Sequence, residues 1–126
     1  MNATAIPAQE LICQLLDGAD GIPADVAAAG LIIRHGHFLH RDAFRRAITA
    51  GASICTGQPL AAISWDAALR ALDAGLLPCA SSEHAILRIA ASLGDPAIPV
   101  HLRAVLGNLD TRNITLVADA ITTANG

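Results

Sequence analysis

The sequence predicts an all-α fold, an irregular bundle of six or seven short helices in a single domain covering residues 1–126, with room for a short β-hairpin near residues 53–63. Three observations carry that expectation. Apolar residues recur at helical spacing along most of the chain. Helix stop and start signals, Gly or Pro next to Ser, Asp or Thr, fall every ten to fifteen residues. The apolar side chains are mostly small or aliphatic, with 27 Ala, 16 Leu and 13 Ile against two Phe, one Trp and no Tyr. A 126-residue chain of this mass should expose about 6,300 Å² when folded, so it can bury a core without disulfides or a structural metal.

Residues 8–16 read as a first helix and 17–21 as a turn. Pro23 at a first-turn position opens a second helix that runs to about Arg34. The stretch 42–50 reads as a third helix. Residues 50–63 carry turn signals at Gly51, Gly57 and Pro59, so they form a loop with the expected hairpin. Ser64 is a good N-cap for a helix carrying Trp65, Ala68, Leu69 and Leu72, with Gly75 and Pro78 ending it. A helix over residues 82–93 turns Ile86, Ile89, Ala90 and Leu93 inward and stops at Gly94 and Pro96. Pro99 opens a short helix that ends at Gly107 and Asn108. In the last segment Ile114, Val117, Ala118, Ile121 and Ala124 form an inward stripe on a helix capped by Asp110 or Thr111. The pairs Ile22-Pro23 and Ile98-Pro99 echo one another, and reuse of one common connection explains this better than duplication.

Composition also excludes chemistry. There is no lysine, so neither a phosphate-binding Walker A loop nor a Schiff-base enzyme is available. No G-x-G-x-x-G spacing occurs. Cys13, Cys55 and Cys79 are odd in number and widely spaced, as expected of reduced cysteines that act as small apolar residues in a cytoplasmic protein. Residues 1–10 lack the basic and apolar regions of a signal peptide. The uncharged run 47–65 contains too many Gly, Ser, Thr and Pro residues for a membrane span. The glycosylation-type tripeptides at Asn2 and Asn113 are then chance matches.

The segment RHGHFLHRDAFRR, residues 34–46, holds four of the eight arginines, three of the five histidines and both phenylalanines against one acid, Asp42. Its net charge is +3 with His neutral, in a chain of net charge −3, so the remainder carries −6. Arg34, His37, Arg41, Arg45 and Arg46 are therefore the candidate residues for binding an anion or a partner. His35, His37 and His40 are candidate metal ligands by residue type. No single regular backbone aligns all three, and the neighbouring guanidinium groups oppose a cation, so a metal there is disfavoured. Ser53 and Cys55 lack a nucleophile elbow, and the acids are scattered singly, so no catalytic residues and no cofactor are expected.

Neither register of a helix-turn-helix fits the sequence. One puts Gly57 and Pro59 inside the recognition helix, and the other places Asp95 and Arg103 at apolar positions. Residues 81–126 hold three Arg and four acids, which is no footprint for DNA.

HGHFLHRDAFRRAI at residues 35–48, SWDAALRALDAGLLPC from Ser64 and the long run from Ser82 to the last helix together resemble small helical proteins of actinobacteria, streptomycetes among them, of no known function. The resemblance covers about three-quarters of the chain and implies one folding unit over residues 31–126. It carries across no activity, cofactor or site residue.

The expected function is a non-enzymatic, cytoplasmic helical interaction protein that self-associates or binds a protein partner, since 53% apolar and 15% charged residues are more than a small monomer easily hides. The alternative is a nucleic-acid-binding regulator that places the arginines of residues 34–46 on phosphates.

Overall fold

A computed structural model describes residues 3–126, so the tripeptide at Asn2 begins outside the described residues. Those residues form seven α-helices and a two-stranded antiparallel sheet. The helices are α1 (Ala8–Ala19), α2 (Pro23–His35), α3 (Asp42–Arg45), α4 (Trp65–Asp73), α5 (Ser81–Gly94), α6 (Leu102–Leu106) and α7 (Thr111–Ala124). The strands are β1 (Ile48–Ala52) and β2 (Pro59–Ile63), and short 3₁₀ turns occupy Ala3–Ala5 and Phe38–His40. No helix among the described residues is long and apolar enough to cross a membrane.

Helix α2 is the hub, because α1, α5 and α7 all pack on it. Its consecutive Ala27, Ala28 and Ala29 are all buried, together with Leu31 and Ile32. A helix buried on several sides needs small residues where neighbouring backbones come close, and this is where much of the alanine is used. Pro23 sits at its first turn, as expected, and Gly36 ends it in the left-handed conformation at φ +87°.

The other well-signalled ends also form. The Ser64 hydroxyl accepts from the Ala67 amide to cap α4, and the Asp110 carboxylate accepts from the Asn113 amide to cap α7. Gly75, at φ +76°, turns the chain out of α4. At the start of α5 the Glu83 carboxylate reaches back to the Ala80 amide at 2.7 Å.

Four expectations are corrected. The first helix runs past residue 16 to Ala19, and the turn begins only at Asp20. The third helix stops at Arg45, and its expected second half is β1, where Ile48 and Thr49 find cross-strand partners in Ile63 and Ala62. The hairpin therefore exists, but its strands are residues 48–52 and 59–63, and much of the predicted span is its turn. Pro99 does not open α6, which starts at Leu102 with His101 as its N-cap, so the two Ile-Pro pairs serve different connections.

The fourth correction concerns α7. Its buried residues are Asn113, Leu116, Val117 and Ala120, whereas Ile114, Ala118 and Ile121 are exposed. The helix is rotated relative to its most hydrophobic stripe. Asn113 is only 5% exposed, so its side chain is closed to glycosylation by burial.

Two glycines mark close approaches. A Cβ at Gly18 would run into the Ala61 carbonyl oxygen, because α1 lies directly on β2, and a Cβ at Gly94 would occupy the space of the Trp65 indole. Gly30 of α2, by contrast, faces open space. Gly18→Ala is expected to destabilise the fold by about 2 kcal/mol, since the obstacle is backbone. Gly30→Ala should stabilise it by about 0.5–1 kcal/mol through helix propensity. Urea denaturation of the two variants checks both signs.

Candidate functional site

The basic segment 34–46 runs from the end of α2 through the Phe38–His40 turn and α3 to the start of the sheet. Phe38 and Phe44 are fully buried with ring centroids 5.2 Å apart, and they fix the segment to the core. The polar side chains around them have separate fates.

Arg45 points inward and is 8% exposed. Its Nε donates to the Leu39 carbonyl at 2.6 Å, and one terminal nitrogen donates to the carbonyls of Ile6 at 2.6 Å and Ala3 at 3.4 Å. The guanidinium thus clamps the N-terminal segment onto the turn after α2. Such a charge is committed to the fold and is unavailable to an external anion, which corrects its assignment as a binding residue.

Arg34 forms an exposed ion pair with Asp119 of α7 at 3.2 Å, while its own carbonyl accepts from Arg112 at 3.1 Å. Arg41 reaches the Pro78 carbonyl at 2.8 Å and the Nε2 of His37 at 3.0 Å. Of these four arginines, only Arg46 leaves an exposed guanidinium without an ion pair or hydrogen bond to a described residue. The four arginines therefore splay over different faces and do not form a common phosphate surface.

The histidines divide similarly. His37 Nδ1 lies 2.9 Å from Glu83, so with Arg41 donating to Nε2 the hydrogen bonds select a neutral ring protonated on Nδ1. Both nitrogens are thereby occupied, leaving no lone pair for a metal. His40 is exposed on the outer side of its turn. His35 is partly buried beside Phe38, with ring centroids 5.9 Å apart, and its Nδ1 is a buried nitrogen with no partner. Among the described residues no three His, Cys, Asp or Glu side chains converge as a metal site.

Glu83, Pro78 and Arg112 complete this cluster and lie far from residues 34–46 in the chain, so residue spacing could not reveal them. The one available signal was Glu83 three residues after Ala80, a capping-type position. Cys79 lies close by, and burial, with Glu83 reinforcing it and Arg41 opposing it, pushes its thiol pKa up. A nucleophilic cysteine needs the reverse shift. Cys13 and Cys55 are exposed rather than packed as small apolar residues, and all three cysteines are free.

The α7 surface differs from this polar corner. Its two charged side chains, Arg112 and Asp119, are both turned to α2. The hydroxyls of Thr115, Thr122 and Thr123 donate back to the carbonyls of Thr111, Ala118 and Asp119 at 3.0–3.1 Å. With those donors satisfied internally, Ile114, Ala118 and Ile121 lie on an uncharged outer face. No known protein family, curated protein or solved structure matches the chain.

Arg45→Met should cost about 2–4 kcal/mol in urea denaturation, because the Leu39 and Ile6 carbonyls lose their buried donor, whereas Arg46→Met should stay within about 0.5 kcal/mol. Burial holds the His35 pKa below its usual 6.5, helped by Arg112 and His37 and opposed by Glu83 and Asp110. His84 is lowered by burial and by Arg88, with Asp73 opposing. Both rings then bind protons more readily in the unfolded chain. Their stabilisation is complete above pH 6.5 and declines as pH falls below it. Chemical denaturation between pH 7.5 and 5 should show that decline, and His35→Phe should reduce its slope without abolishing it.

Proposed function

We propose that the chain is a non-enzymatic helical interaction protein of the bacterial cytoplasm, and that it pairs with a second copy of itself through the outer face of α7. The observation that carries this reading is the uncharged stripe of Ile114, Ala118 and Ile121, with Ile114 41% and Ile121 51% exposed. A single helix normally turns its most hydrophobic stripe to its own core. Here the core takes the neighbouring stripe and leaves two isoleucines in water, where their burial by a partner is favourable.

A second copy is the occupant that suits the geometry. Two α7 helices crossing about a two-fold axis near Ala118 would bring each isoleucine against its counterpart's stripe, and alanine at the crossing allows close approach. A standard interface removes about 800 Å² from each partner, and Ile114 and Ile121 supply exposed apolar surface for its centre. The occupied nitrogens of His37 and the raised Cys79 thiol favour a non-catalytic role, and the resemblance to actinobacterial proteins agrees with a bacterial one.

Sedimentation equilibrium at high micromolar concentration tests the proposal. The expected species is a dimer, and Ile114→Asp with Ile121→Asp should convert it to a monomer with an unchanged far-ultraviolet circular dichroism spectrum, because both side chains are exposed in the single chain. A wild-type monomer, or a dimer that survives the double substitution, would contradict it.

A further inference from the structure

The large apolar side chains left in water are unevenly distributed. Of the eight that are exposed among the described residues, four fall within residues 102–121: Leu102, Leu106, Ile114 and Ile121. Two of these belong to the α7 stripe. The other two belong to α6, whose apolar residues are divided oddly for a helix that serves only its own core. Val105 is buried, whereas Leu102 is 46% and Leu106 38% exposed. Four residues apart on a helix, the two leucines share a face. Between Asp95 and Asp110 the only Arg, Lys, Asp or Glu is Arg103, so little charge surrounds that face.

The position of α6 relates these leucines to the α7 stripe. Both helices pack on α5, and only residues 107–110 separate them. Five Cα steps place Thr111 within about 18 Å of Leu106. A standard interface is roughly 30 Å across and takes about 20–30 residues from each partner. Helix α7 cannot fill that area alone. Of its fourteen residues, Asn113, Leu116, Val117 and Ala120 are buried, and Arg112 and Asp119 are engaged with Arg34 of α2. The remaining contact has to come from a neighbouring element, and α6 is the one that offers exposed leucines. About a two-fold axis each leucine counts twice, once from either copy.

We infer that the Leu102 and Leu106 face of α6 is the second part of the surface that meets another copy of this chain. The inference rests on the α7 reading, which supplies the copy and the axis, and it adds an element that the α7 stripe does not require.

Hydrogen–deuterium exchange of the unmodified full chain tests it, at concentrations below and above the dimerisation midpoint found by sedimentation. Amides of residues 102–106 and of α7 should slow together in the dimer. Leu102→Gln with Leu106→Gln, substitutions that a helix tolerates, should raise the dimer dissociation constant about tenfold or more with an unchanged circular dichroism spectrum. Leu16→Gln with Ile22→Gln, which removes comparably exposed side chains elsewhere, should leave it unchanged. Slowing confined to α7, or undiminished pairing in the folded α6 variant, overturns the α6 inference and leaves the α7 reading standing. An equal loss in the Leu16 and Ile22 control also overturns it, because the contact is then not specific to α6. A wild-type chain that stays monomeric overturns both.

Discussion

The close approach of neighbouring helices to α2 is the constraint on which the rest of the structure depends. Packing α1, α5 and α7 around one helix leaves no broad polar side for it, so its middle must be both apolar and narrow. Ala27, Ala28 and Ala29 meet that requirement, with Leu31 and Ile32 filling the wider spaces toward its C-terminal end. Larger side chains at the alanines would force the neighbours apart and expose the aliphatic core that they jointly enclose. The two ends of this helix then define the polar geography of the molecule. Gly36 turns the basic segment away at one end, and Asp25 lies in the first turn at the other.

Arginine has an architectural use here that its position in a basic run conceals. Arg45 gathers the carbonyls of Leu39 and Ile6 from two parts of the chain, and its planar fork supplies donors in more than one direction. Removing it would leave those oxygens buried and unpaired, which costs more than the net gain of an average hydrogen bond. Arg41 and His37 act in the same way at the start of α5, through Pro78 and Glu83. The local excess of positive charge thus holds irregular backbone together. This explains why a segment of net +3 presents few free guanidinium groups.

Helix ends were largely legible because their causes are local. Pro23, Ser64, Gly75 and Asp110 each act through the conformation or hydrogen bonding of their own turn, and each marks a real boundary or cap. The segment after Arg45 was not legible as strand, since Ile48 and Thr49 become β only when β2 supplies the opposite half of the ladder. Pro99 misled for the opposite reason, because a proline is compatible with a helix start without enforcing one. The basic corner was visible only as composition: the residues were correctly grouped in the chain, but the partners that decide their roles, at Ile6, Pro78, Glu83 and Asp119, lie tens of residues away.

What the sequence by itself determined is the helical character, the punctuation of the helices and the absence of lysine chemistry, all of which follow from residue type and short-range spacing. The tertiary structure alone decided which way the elements face. Ile114 and Ile121 make the more hydrophobic stripe of α7, yet α2 and α5 receive Leu116, Val117 and Ala120. A helix rotates to satisfy all its contacts together, including the engagement of Arg112 and Asp119 with α2. Orientation is a property of the whole assembly, so the exposed face of α7 and the inward turn of Arg45 arise only when distant parts of the chain meet.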